Sequence, residues 1–150
     1  MARVKYLRRS DSSADQALFD RLERERKVPT ANIFSALANA PLVLDQFLSY
    51  ANALRASELS PKLRELAILT VGHCTASVYE IAHHQSHGLK AGISEEQLKA
   101  IADYAQSPLF DVHERAVMAF AEESTRVVNV SVQTWDAVAA FPFRAPARRA

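Results

Sequence analysis

The sequence predicts an all-α bundle of six to seven helices. Three observations carry that prediction. Apolar residues recur at helical spacing, as in Leu18/Leu22 and Leu44/Leu48. Serine and proline start signals punctuate the chain at Ser60-Pro61, Ser94 and Ser131. Val127-Val128-Asn129-Val130 is the single run with β-like residues, and it reads as a linker.

The first helix is expected over 14–27, with Leu18, Phe19 and Leu22 as a modest apolar stripe. Val28-Pro29-Thr30 ends it, because Pro29 disfavours helix on both sides. A second helix spans 31–39 with Ile33, Phe34 and Leu37. A third begins at Pro41, capped by Asn39, and buries Leu42, Leu44, Phe47, Leu48, Ala51 and Leu54.

Ser60 caps the next helix and Pro61 takes its first position. Leu63, Leu66, Ala67, Ile68, Leu69 and Val71 make it apolar on more than one side, the mark of a helix inside a bundle. Gly72 and the small residues near Thr75 mark a bend or junction. Residues 76–88 resume the helix and end at Gly88 as its C′ residue. Ser94 caps a helix over 95–105, with Leu98, Ile101 and Ala102 inward. After Ser107-Pro108, residues 109–124 form another, carrying Val112, Ala116, Val117, Phe120 and Ala121. Ser131 caps a last helix over 132–140. Residues 1–13 and 142–150 read as flexible ends of a single domain spanning 1–150.

Composition narrows the function. The 150 residues are 49% hydrophobic and 23% charged, with a formal net charge of +1. That balance argues against a nucleic-acid partner. The +1 hides eight basic and five acidic residues in 1–28, three arginines in 141–150, and a middle of net −5. Neither basic end interleaves aromatic residues as a single-strand binder would. No stretch approaches a membrane span, and the first residues lack the apolar core of a signal peptide. A cytoplasmic location is the expectation, and the single Cys, Cys74, fits a reducing compartment. Three Gly exclude a Gly-rich phosphate loop.

The chemistry concentrates between Leu63 and Gly88. Four of the five His fall there, with Glu65 and Glu80. On one continuous helix Glu65, His73, Ser77, Glu80, His83, His84 and His87 share a sector of about 120°. One reading is an acid–base pocket, in which a carboxylate orients an imidazole and two carboxylates separate in proton affinity. A second is a metal site, with Glu80 and His84 joined by Glu65 or His87 as mixed O and N ligands for Zn, Fe or Mn. A third is structural polar packing, since His is favoured near a helix C-terminus. Cys74 lies off the polar face and reads as a core thiol. Tyr79 can donate a hydrogen bond into the pocket or fill the core. Arg55 and Arg64 are candidate clamps for a carboxylate substrate.

The segment SPKLRELAILTVGHCTASVYEIAHHQSHGLKAGIS resembles the core of the carboxymuconolactone decarboxylase and alkylhydroperoxidase D superfamily. ANIFSALANAPLVLDQFLSYANAL resembles the helices that precede it, and the likeness runs over roughly 29–135. The peroxidase branch carries Glu, eleven residues, Cys, two residues, Cys, three residues, His. Glu65 and His84 match its ends, while Ser77 and Glu80 stand where the cysteines would. The chain therefore resembles the non-cysteine branch, and the dithiol cycle of the peroxidases is absent. The resemblance implies an alkylhydroperoxidase D-like helical bundle and proton management on a small carboxylated or lactone-like substrate. It implies no cofactor and no metal. Glu65, Glu80 and His84 would be the proton carriers with His83 in reserve, and Ser77, Tyr79 and His73 would line the pocket. It also implies a homo-oligomer, as dimer, trimer or hexamer. Relatives continue after the Thr-Trp-Asp region with further helices, so the stretch after Trp135 is expected to be short for the fold. Two alternatives remain open: a non-catalytic binding or assembly module of the same fold, and a metal-dependent enzyme.

Overall fold

The computed structural model describes residues 3–11, 13–26, 29, 31–57 and 59–141. Among them lie eight α-helices and one 3-10 turn, with no strand. The chain divides into two compact units, one ending at Ser57 and one beginning at residue 58.

The first unit holds α1 (Gln16–Glu25), α2 (Asn32–Leu37) and α3 (Pro41–Arg55). Asp15 caps α1, its carboxylate accepting the Leu18 N–H at 3.0 Å. Leu18, Phe19 and Leu22 face inward onto Phe34, Ala38, Leu44 and Leu48. Leu7 joins this core, and its amide donates to the Ser35 carbonyl. Leu7, within the stretch expected to be a flexible end, thus has a core to enter. The expected break at Val28 and Thr30 and the 142–150 tail lie outside the described residues.

Pro41 opens α3 as expected, but Asn39 does not cap it. Its side-chain amide donates instead to the carbonyls of Lys5 and Ala36, which removes it from the α3 terminus. Only Leu44 and Leu48 of α3 are buried; Leu42, Val43, Tyr50 and Leu54 are exposed.

The second unit holds α4 (Pro61–Cys74), α5 (Val78–Lys90), α6 (Glu95–Ala100), a 3-10 turn (Ile101–Asp103), α7 (Val112–Arg126) and α8 (Val132–Ala139). Its core joins Leu66 and Leu69 of α4 to Ile93, Ile101, Tyr104, Phe110 and Met118. Each fully buried Leu here is worth about 1.5–3 kcal/mol of transfer free energy. Helices α4 and α7 form the densest packing, and α5 lies along α4.

Among the described residues the helix count is eight because the 60–88 stretch breaks at Thr75–Ser77. Gly88 is not a terminator. It lies inside α5, where a Cβ would meet Ile93 at 3.1 Å and Leu69 at 3.4 Å. Gly92, with φ +94°, is the residue that turns the chain after α5. Asp111 caps α7 through a capping box with Glu114, so this helix starts three residues later than expected and leaves Val112 exposed. Ala102, expected inward, is exposed because the chain tightens into the 3-10 turn. Residues 127–130 form no strand, and Val128 adopts φ 55°.

Candidate functional site

The site is a meeting of α4 and α5. Ser60 caps α4, its hydroxyl accepting the Leu63 N–H. One turn on, Glu65 points inward beside Leu66 and is only 7% exposed. Ser77 caps α5 by accepting the Glu80 N–H at 3.4 Å. Between the two, Ala76 sits at φ 52°, a left-handed conformation that reverses the chain so that α5 packs back on α4.

This reversal replaces the single helical face expected from the sequence, yet it brings Glu65 and His84 together. His84 Nδ1 lies 2.7 Å from Glu65 Oε2. A carboxylate only accepts, so Nδ1 carries the proton and donates it. His84 Nε2 then faces outward, 3.6 Å from Oε2 of Glu80. Glu65, not Glu80, orients the imidazole, because Glu65 is fixed in a packed helix while the Glu80 side chain is 41% exposed.

Burial is the largest influence on the Glu65 carboxyl and works against its charge. The His84 hydrogen bond, with the electrostatic pull of His84, Arg64 and His87, outweighs it and holds the carboxyl below the usual glutamate range. Arg64 Nε reaches Glu65 Oε1 at 3.6 Å, so the two oxygens have different partners. Burial pushes His87 towards its neutral form against the pull of Glu65, and His83, His84 and Lys90 push the same way.

The remaining expected residues divide. His83 packs its ring against His84 at 5.2 Å and His87 at 5.1 Å, measured between centroids. Tyr79 lies parallel to His83, with centroids 5.9 Å apart. His87, the outermost member of the expected polar face, is thus part of the cluster, and its i, i+4 relation to His83 is the signal for it. Ser77 serves as the α5 cap rather than as a pocket wall. His73 makes no hydrogen bond, ion pair or ring contact with these groups among the described residues. Cys74 is half-buried and sits by Arg126 of α7. Arg55 belongs to the first unit, on the last turn of α3.

A surface groove of about 250 Å³ opens on the other flank of α5, lined by Gln85, Leu89, Glu95, Leu98 and Lys99. It contains none of the expected site residues. Both ring nitrogens of His84 face carboxylates, and among the described residues no group of three or more His, Cys, Asp or Glu is placed to hold a metal ion.

Residues 41–123 match the carboxymuconolactone decarboxylase family. The chain belongs to that family. The match to the carboxymuconolactone decarboxylase family runs from the start of α3 into α7 and contains Glu65, Glu80 and His84. The fold is accordingly the all-α, alkylhydroperoxidase D-like bundle. Comparison with curated proteins and with solved structures finds no match. No described helix is long and apolar enough to cross a membrane.

Proposed function

We propose that this carboxymuconolactone decarboxylase family member carries out acid–base chemistry, of lyase type, on a small carboxylated or lactone-like molecule, without redox cysteines. One observation carries the reading: the 2.7 Å bond between buried Glu65 and His84 Nδ1. That bond fixes the tautomer and leaves Nε2 free to take a proton from the substrate. Glu65 stabilises the imidazolium that results; the C–C bond to the deprotonated carboxyl then breaks, CO₂ leaves, and the electron pair left on carbon takes the proton back from Nε2. Glu80 lies beside Nε2 as the second proton carrier, and His83 packs against the ring. Ser77 and Glu80 in place of two thiols support the non-cysteine branch, since neither can form a disulfide.

The reading includes a cytoplasmic homo-oligomer. Leu42, Val43, Tyr50 and Leu54 leave an apolar stripe exposed on α3, and a symmetric partner buries such a stripe readily. Exposure of Glu80 favours a second reading, a non-catalytic binder of the same fold.

Exchange in D₂O separates the two. A panel of carboxylated five-membered lactones is incubated with the protein, and deuterium uptake or loss of CO₂ is followed by NMR. The acid–base reading expects turnover that falls by about 10²–10⁴-fold in Glu65→Gln and in His84→Gln. Binding without exchange or CO₂ release in the unaltered protein favours the binder.

A further inference from the structure

We infer that the Tyr79–His83 ring pair is a specificity surface, and that it selects substrates whose carbon skeleton is a flat, conjugated ring. The inference rests on the acid–base reading for where the reacting atom lies, and extends it to what the rest of the molecule touches.

The two rings are parallel to within 2°, with centroids 5.9 Å apart. At that separation parallel rings are slid past one another rather than eclipsed, so part of each face stays uncovered. Tyr79 is 44% exposed, and its hydroxyl makes no hydrogen bond among the described residues. Nothing polar therefore accounts for a tyrosine at this position, and the core does not use its ring.

The pair is also joined to the chemistry. His83 touches Tyr79 on one side and His84 on the other, at 5.9 and 5.2 Å. Along α5 the rings run His84, His83, Tyr79, each with its centroid within 6 Å of the next. A molecule with its reacting atom at Nε2 of His84 has this run of rings beside it. A flat π-system gains offset stacking there, whereas a puckered saturated ring of equal size does not.

Benzoate and cyclohexanecarboxylate test this directly, because they share size and charge and differ in planarity. Each is titrated into the full chain while the His and Tyr ring signals are followed by NMR. Benzoate is expected to bind about two- to tenfold more tightly, the range that one aromatic pair supplies. Tyr79→Leu should level the two affinities, and Tyr79→Phe should keep the preference, since the face and not the hydroxyl is used. Equal affinities in the unaltered protein, a preference that survives Tyr79→Leu, one that is lost in Tyr79→Phe, or no binding of either acid would each overturn the inference. The readout is binding alone. A protein that prefers benzoate but shows no exchange or CO₂ release on any lactone would overturn the acid–base reading and leave the ring surface standing.

Discussion

The Glu65–His84 pair makes the sharpest prediction. The side chains are 9% and 16% exposed, so solvent screens their 2.7 Å contact little. A hydrogen bond to a charged group in such surroundings contributes about 1.5–3 kcal/mol. A double-mutant cycle of Glu65→Gln and His84→Gln is therefore expected to give a coupling energy of about 1.5–3 kcal/mol near neutral pH. Trp135, the single tryptophan, lies in the same compact unit as the pair. Its fluorescence during urea unfolding reports on that unit, and far-UV circular dichroism on the whole chain. The pH dependence has a definite sign. The folded protein holds the Glu65 carboxyl below its ordinary value of 4.5, because the His84 bond and nearby cations outweigh burial. The stability due to that charge is thus complete above 4.5 and is lost as pH falls through the lower folded value. Glu65→Gln cannot titrate, so its deficit should shrink in the same window. A coupling energy below about 0.3 kcal/mol, within the error of additivity, would refute the pairing. So would a Glu65→Gln deficit that persists unchanged in strong acid.

Three further outcomes follow from local geometry. Ala76→Gly relieves the left-handed strain at φ 52° between α4 and α5, worth about 1–2 kcal/mol, against about 0.5–1 kcal/mol of added unfolded-state entropy; thermal unfolding should show a neutral to slightly stabilised protein. Asp111→Ala removes the acceptor of the His113 and Glu114 N–H groups and should cost about 0.5–2 kcal/mol in urea unfolding; an unchanged midpoint would count against the capping box. Burial, and then the bond to Glu122, raise the Tyr104 hydroxyl above the ordinary tyrosine value, so absorbance titration near pH 10 should show the same phenolate amplitude in Tyr104→Phe as in the unaltered protein.

Helix existence was legible because periodicity and punctuation are local. Ser60, Ser94 and Ser131 each accept a backbone N–H at the start of the helix that they announce. Helix ends were less legible because a cap residue competes for distant partners. Asn39 reads as a cap until Lys5, far away in sequence, offers a carbonyl at 2.7 Å. Gly88 reads as a terminator, yet its lack of a side chain serves the approach of Ile93 and Leu69, and Gly92 does the turning. Burial on α3 failed for a related reason. Spacing shows which residues share a face, but whether a neighbour covers the whole of that face is decided elsewhere in the chain.

The candidate site shows the same division more sharply. The clustering of Glu65, Glu80, His83, His84 and His87 was legible, because they are polar residues in a stretch where apolar ones would pack as well, whereas His73, expected beside them, stays apart. The cluster's internal order was not legible. A single-helix projection makes Glu80 the natural partner of His84 at i, i+4, and it treats Glu65 as one more group on the same face. The left-handed Ala76 ends that helix and turns α5 back on α4. Glu65 then approaches from a second, rigid element and takes Nδ1 at 2.7 Å, leaving Glu80 at 3.6 Å from Nε2. The distinction matters for chemistry. An orienting carboxylate on the same flexible flank as its histidine would move with it, whereas one anchored in the packed α4 holds the imidazole against a fixed frame. The buried glutamate therefore sets the direction in which Nε2 of His84 faces, and the exposed Glu80 has no such anchor.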